Sequence, residues 1–132
     1  MKRIYTWDAQ FSLRNHTAAD IRACKGNTVL TQTTANTREE AAAAADAGID
    51  MLICNATNVE IVRTGAPHHF LTAALTIPDW QTDDDVLRGA LTALKQGADS
   101  IMTARRLEIV EMLAKEDIPV SYTHLRAHET RI

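Results

Sequence analysis

The chain has 132 residues, of which 45% are hydrophobic and 23% charged, and its formal net charge is −3. This composition is typical of one globular domain, and the sequence has no run long enough for a membrane span or a signal core. The small negative charge gives no general attraction to nucleic acid or to anionic membranes, which excludes both as expected partners. We expect a cytoplasmic location by default.

No residue pattern predicts a metal site. Cys24 and Cys54 lie far apart and neither belongs to a CxxC pair, so we predict free, buried thiols. Three successive aspartates, Asp83, Asp84 and Asp85, follow a predicted helix cap. Successive side chains of a helix point in different directions, so these carboxylates are predicted to complement the helix dipole and to bind no metal.

Residues 1–16 show no helical or strand period. We interpret them as an N-terminal extension whose Trp7, Phe11 and Leu13 pack under the main sheet. The main domain is predicted to begin at Thr17, a helix cap, and to span 17–119.

A repeated pattern then organises the chain. Gly48 and Gly97 each stand where a helix end needs a left-handed residue, and a short apolar run without alternation follows each of them. Such runs are typical of strands buried on both faces, so the pattern predicts βα units around a parallel sheet. The predicted strands are 29–30, 51–54, 70–75, 100–102 and a fifth that starts at 118. The predicted helices are 18–25, 41–47 after a capping box at Thr37, 58–63 stopped by Gly65, one capped by Thr82, and one with an apolar stripe of Leu107, Val110, Leu113 and Ala114.

These units predict an α/β fold, namely the N-terminal half of a (β/α)8 TIM barrel with parallel strands. A doubly wound sheet is the alternative. The barrel is favoured because no Gly-rich phosphate turn follows the first predicted strand.

Residues 120–132 interrupt this pattern because they are polar and aperiodic. From Val120 to Thr130 they are similar to a translated sequencing-library adapter of the transposase type, so we assign the range 120–132 to an artefactual tail. His124 and His128, which have helical metal-pair spacing, are excluded with it. The remainder is then expected to be a barrel fragment, inactive by itself and prone to aggregate through open sheet edges.

The order of elements from Thr28 to Pro119 resembles ketopantoate hydroxymethyltransferase (3-methyl-2-oxobutanoate hydroxymethyltransferase), in the phosphoenolpyruvate/pyruvate barrel superfamily. The stretch from Gly97-Ala98-Asp99 through 107–114 to Ile118-Pro119 carries the resemblance best, and 50–57 is similar to the family's second-strand segment. The resemblance implies a 2-oxoacid substrate and Mg²⁺ held by carboxylates at strand ends. The positions that correspond to the family's charged groups are Ala56, Ala74, Met102 and Ala104, so Mg²⁺ is not carried over and the cofactor is left unknown.

Four residues are candidate substrate-binding groups, and the catalytic residues stay unknown. Asn55 and Thr57 follow the second strand, at the mouth where barrels place their active sites. Arg105 and Arg106 are predicted in the first turn of a helix at the mouth of the fourth strand, where an anionic ligand would offset the unfavourable dipole. Alternatively, both arginines pair with surface acids such as Glu108 or Asp79.

Two functions remain open from the sequence. The first is a hydroxymethyltransferase-like or lyase-like enzyme that acts on a 2-oxoacid and is homo-oligomeric when full length. The second is a barrel relative without catalysis that binds an anionic metabolite, which the loss of the aligned carboxylates favours.

Overall fold

The computed structural model describes residues 1–121, which form a two-stranded hairpin and a five-stranded sheet with its helices. Residues 122–132, with most of the predicted tail, His124 and His128, lie outside the described residues. The strands are β1 (Lys2–Tyr5), β2 (Phe11–Arg14), β3 (Gln32–Thr34), β4 (Met51–Asn55), β5 (Phe70–Leu75), β6 (Ser100–Thr103) and β7 (Val120–Ser121). The helices are α1 (Ala18–Ala23), α2 (Arg38–Asp46), α3 (Val59–Gly65), α4 (Asp83–Lys95) and α5 (Leu107–Lys115), with a 3₁₀ turn at Ala56–Asn58.

The main sheet has the order β3-β4-β5-β6-β7, and every neighbouring pair is parallel. A helix connects each strand to the next, so the strand order follows the chain without reversal. A doubly wound sheet reverses its order at a switch point, whereas a TIM barrel does not. The predicted α/β fold, half of a (β/α)8 barrel, is confirmed.

The two faces of this sheet differ in chemistry. Leu52, Leu71 and Ile101 are fully buried and pack with apolar residues of the helices. On the opposite face, the hydroxyls of Thr72 and Ser100 form a hydrogen bond of 2.7 Å between β5 and β6. The main core therefore lies between sheet and helices, and the opposite face carries polar as well as apolar side chains.

Local sequence signals set the helix starts. Thr17 and Thr82 each accept a hydrogen bond from a backbone N–H three residues later, and an aspartate at that position completes the capping box. Thr37 accepts from the Glu40 N–H in the same way, but the Glu40 carboxylate accepts from the N–H of Asn36. The predicted caps are confirmed, and only half of the predicted box at Thr37 forms.

The first strand of the sheet lies later than predicted. Val29 is 91% exposed, and the strand is Gln32–Thr34. Thr31 explains the shift because its N–H and hydroxyl both donate to the Asp50 carboxylate, at 2.9 and 3.1 Å. Backbone pairing with β4 begins at Thr31, whose carbonyl oxygen accepts from the Met51 N–H at 3.0 Å, and Gln32 lies opposite Met51.

The apolar stripe predicted for the last helix is confirmed at Val110 and Leu113 and wrong at Leu107 and Ala114. Helix α5 begins at Leu107, which is 46% exposed, and Ala114 is exposed too. Ile109, Val110 and Leu113 are the buried residues. Arg105 and Arg106 consequently precede the helix instead of occupying its first turn.

Helix α3 ends at Gly65, as predicted, and Gly65 is its last helical residue. A Cβ atom at this position would lie 2.1 Å from the Arg38 carbonyl oxygen and 3.1 Å from the Ala41 side chain. Glycine is needed here because α3 crosses α2 too closely for any side chain.

The N-terminal extension is the antiparallel hairpin β1–β2, and its aromatic residues do not pack under the sheet as predicted. Trp7 is 49% and Phe11 60% exposed, and Phe11 makes an edge-to-face contact with Tyr5. Polar groups attach the hairpin instead. Asn15 donates to the carbonyl groups of His68 and Asp50 and accepts from the N–H of Phe70, at 2.8 to 2.9 Å.

The fifth strand expected from 118 onward is β7. Val120 pairs with Ile101 and Ser121 with Met102, while Ile118 is buried. The pairing uses backbone groups that any residue carries, so the origin of the range 120–132 stays a prediction. No helix within residues 1–121 is long and apolar enough to cross a membrane.

Candidate functional site

The carboxyl ends of the parallel strands meet along one edge of the sheet, where TIM barrels place their active sites. We call this edge, with the loops that follow the strands, the carboxyl edge. Asn36 follows β3 and Asn55 ends β4, the next strand in the sheet. Neighbouring parallel strands lie about 4.8 Å apart, so the two amides are close neighbours.

Hydrogen bonds fix the orientation of both amides. The Asn55 N–H donates to Asn36 Oδ1 at 2.8 Å, and the Asn58 amide donates to the same oxygen at 3.1 Å. Asn55 Oδ1 in turn accepts from the N–H and the hydroxyl of Thr57, at 3.0 and 2.9 Å. A backbone N–H can only donate, so in each of the two amides the oxygen, and not the nitrogen, must face the donating N–H.

The NH₂ groups of Asn36 and Asn55 are therefore the groups available to a ligand. Neither has a hydrogen-bond partner within residues 1–121. Both residues are half-buried. The edge thus carries two neutral, pre-oriented donors on adjacent strands, which suit the acceptor oxygens of a carbonyl or carboxylate.

A cleft of about 500 Å³ extends from this edge along helix α4. Thr57, Asp79 and Trp80 line its upper part, and Asp85 and Arg88 belong to its α4 wall. Hydrogen bonds from Thr82 hold the pKa of Asp85 below its ordinary value, so this carboxylate stays charged at neutral pH. Trp80 lies so close to Gly89 that a Cβ there would be 2.3 Å from Nε1.

The two predicted arginines differ in their surroundings. The Arg105 side chain is only 14% exposed and donates to the Gln81 carbonyl oxygen at 2.6 Å, which attaches it to the loop before α4. Arg106 is 57% exposed and lies 3.6 Å from Asp83 and 3.7 Å from Glu108. Glu108 was an expected partner, whereas Asp79 accepts from the Thr76 hydroxyl instead. Anion binding by either arginine stays a prediction.

The donor set of this edge does not fit the Mg²⁺ that the sequence resemblance implies. Three of the four corresponding positions are alanines, Ala56, Ala74 and Ala104, and the fourth is Met102. Among residues 1–121, no group of three or more His, Cys, Asp or Glu side chains is placed to hold a metal ion. Mg²⁺ requires hard oxygen ligands, so we derive no chemistry through it.

The structure brings the two sequence-predicted residues Asn55 and Thr57 into direct contact, but it adds Asn36, which sequence reasoning missed. The strand predicted at 29–30 ends six residues before Asn36, so no strand-end position was predicted for this amide. The missing signal was the register: with Thr34 opposite Ile53, Asn36 comes opposite Asn55, the last residue of β4.

No protein-family model matches the sequence, and no curated protein matches it. Solved structures do match it. A 2,3-dimethylmalate lyase, a member of the PEP mutase/isocitrate lyase superfamily, has a TM-score of 0.57 and 16% identity, over 80% of this chain and 52% of that one. A protein from Toxoplasma gondii ME49, assigned as a deoxyribose-phosphate aldolase, has a TM-score of 0.54 and 17% identity, over 78% of this chain and 54% of that one.

A protein from Coccidioides immitis with the same assignment has a TM-score of 0.50 and 17% identity, over 64% of this chain and 43% of that one. The chain therefore spans about half the length of the structures it matches. At these identities the likeness establishes the fold alone, and it agrees with the half barrel seen in the strand order.

Proposed function

We propose that the carboxyl edge binds the oxygen atoms of a small 2-oxoacid, as part of an enzyme that forms or cleaves a carbon–carbon bond. The pair of oriented amide donors, Asn36 and Asn55, is the observation that carries this proposal. A 2-oxoacid offers neighbouring ketone and carboxylate oxygens, which two adjacent NH₂ groups can bind together. The exposed Arg106 is the cation that we propose for the carboxylate.

Two further observations support the class of reaction. The matched structures include a lyase and proteins assigned as aldolases. The sequence resembles ketopantoate hydroxymethyltransferase, which suggests one-carbon transfer to 3-methyl-2-oxobutanoate as the finer form of the proposal. This finer form depends on the resemblance alone.

Binding without turnover is the second candidate. Carbon–carbon lyases need an electron sink, which a Schiff-base lysine or a metal ion can supply. The four lysines within residues 1–121 lie in the hairpin, after α1, and at the ends of α4 and α5, away from the carboxyl edge. The described residues thus supply ligand-binding donors but neither kind of electron sink.

Titration calorimetry of the full chain with pyruvate and with 3-methyl-2-oxobutanoate tests the proposal. Asn36→Asp and Asn55→Asp keep the oxygens that accept the structural hydrogen bonds, but they replace each NH₂ donor with a negative oxygen. We expect each variant to bind at least about tenfold more weakly, as a lost donor and a repelled anion imply.

Asn27→Asp is the matched control because Asn27 is exposed and lies after α1. It should bind as the parent chain does. NMR of the oxoacid carbons with formaldehyde added as the one-carbon electrophile separates the two candidates, since only the enzyme adds the new carbon to the oxoacid. Equal binding by the parent chain and both edge variants would refute the proposed site.

A further inference from the structure

A buried ionic cluster lies at the opposite, amino-terminal end of the sheet. Arg14 Nε donates to both oxygens of Asp99 at 3.0 Å, and Arg63 Nη2 donates to Asp99 Oδ2 at 2.7 Å. The N–H of Leu71 donates to the same oxygen at 3.0 Å. Two guanidinium groups thus share one carboxylate, which leaves the cluster with one positive charge in excess.

The donors of the two arginines are not equally satisfied. Arg63 uses Nε on the Gly97 carbonyl, Nη1 on the carbonyls of Ala66 and His69, and Nη2 on Asp99. Arg14 uses Nε on Asp99 and Nη1 on Ser12 Oγ and on the carbonyls of Leu13 and, at 3.4 Å, Pro67. Its Nη2 donates to no group within residues 1–121, although the Arg14 side chain is only 4% exposed.

The unpartnered Nη2 of Arg14 reaches solvent, because within residues 1–121 the buried side-chain nitrogen or oxygen without a partner is His68 Nδ1 instead. A guanidinium N–H at the wall of a cleft can donate to an anion there. Burial, together with the charge of Arg14, lowers the pKa of Arg63 against the opposing effect of Asp99. A further anion would accept from Arg14 Nη2 and offset the excess positive charge.

The space for such an anion is present. A cleft of about 320 Å³ between the hairpin and the end of α4 is lined by Arg14, Arg63, Lys95, Gln96 and Ser12. Asp8 is the acidic residue of its lining, and it accepts a hydrogen bond from the Thr6 hydroxyl. Because Asp99 already binds both arginines, Arg14, Arg63 and Lys95 together with Asp8 and Asp99 carry one positive charge in excess.

We propose that this cleft is a binding site for a small oxyanion, a phosphate or carboxylate group, held by Arg14 with Arg63 and Lys95. The site lies at the end of the sheet opposite the carboxyl edge, so it does not depend on the proposed function. Its ligand joins the N-terminal hairpin to the barrel.

The test is calorimetric titration of the full chain with inorganic phosphate, with sodium acetate and sodium sulfate as separate arms at constant ionic strength. We expect saturable binding of phosphate and a rise in Tm with phosphate concentration. Binding of acetate at comparable strength would identify a carboxylate as the ligand, and phosphate preference would identify a phosphate group.

Arg14→Lys keeps the charge but removes the Nη2 donors, and we expect it to weaken phosphate binding about tenfold. Arg3→Lys is the matched control, because Arg3 is exposed on the same hairpin, and it should bind as the parent chain does. Lys95 is exposed, so Lys95→Gln leaves the buried cluster intact and tests the site even if Arg14→Lys fails to fold. We expect it to weaken phosphate binding a few fold. Absence of phosphate binding in the parent chain, or equal binding in all variants, would overturn the proposal.

Discussion

The two ends of the sheet differ in the charge and burial of their polar side chains. At the amino-terminal end, Arg14, Arg63 and Asp99 are buried charges whose hydrogen bonds hold loops and the hairpin together. At the carboxyl edge, Asn36 and Asn55 are neutral and half-buried, and each keeps an NH₂ group free of partners within residues 1–121. The difference follows the division typical of barrels, in which one end supports stability and the other carries recognition.

An Asp-to-Asn substitution at each end tests this division most directly. Asp99→Asn leaves two buried guanidinium groups without a counter-ion, so we expect the free energy of unfolding to fall by about 3–5 kcal/mol. Asp79→Asn at the carboxyl edge removes an exposed carboxylate, and we expect a change below about 0.5 kcal/mol. Urea denaturation measures both, and similar losses at the two ends would contradict the comparison.

Gly-to-Ala substitutions at two close contacts extend the comparison to helix packing. Gly65→Ala brings a methyl group against the Arg38 backbone, which cannot move aside, so we expect a loss of about 1–3 kcal/mol. Gly89→Ala meets side-chain atoms instead of backbone, Trp80 Nε1 at 2.3 Å and Leu75 Cδ2 at 2.9 Å, and alanine favours the helix by about 1 kcal/mol. We expect little change in stability but a shifted Trp80 emission. A larger loss at Gly89 than at Gly65 would mean that Trp80 is fixed.

The two thiols give the smallest effect. Burial raises the pKa of Cys54 from 9.0 to about 11, whereas Cys24 is only partly buried. At pH 8 we expect a disulfide reagent to modify Cys24 rapidly and Cys54 only when the chain unfolds. Because the raised pKa penalises the folded thiolate, stability should also decline as the pH rises from about 9 towards 11. Cys54→Ser should remove this decline, and rapid modification of both thiols in the folded chain would refute the burial.

Sequence reasoning reached the parts of the fold that depend on short stretches. Thr17 and Thr82 could be recognised as caps from three neighbours, and the strand at 70–75 from its own residues. The position of β3 could not, because it depends on a contact between Thr31 and Asp50, 19 residues apart. Asn36 was missed for that reason.

The ionic cluster could not be predicted either, because its members lie even farther apart in the sequence. Arg14 looks like one more charge in a polar extension, and Asp99 like a turn residue after Gly97. Only the fold brings them together, across 85 residues of sequence. The candidate residues at strand ends, Asn55 and Thr57, were accessible because their position follows from the strand that precedes them.

That separation of 85 residues also orders the assembly of the chain during synthesis. The hairpin leaves the ribosome first, but its carboxylate partner is translated roughly 4–17 s later at ordinary elongation rates. Until then the Arg14 guanidinium stays hydrated and the aromatic residues around it are open to chaperones. The hairpin is therefore made before Asp99 and cannot complete its ionic contacts until that residue follows.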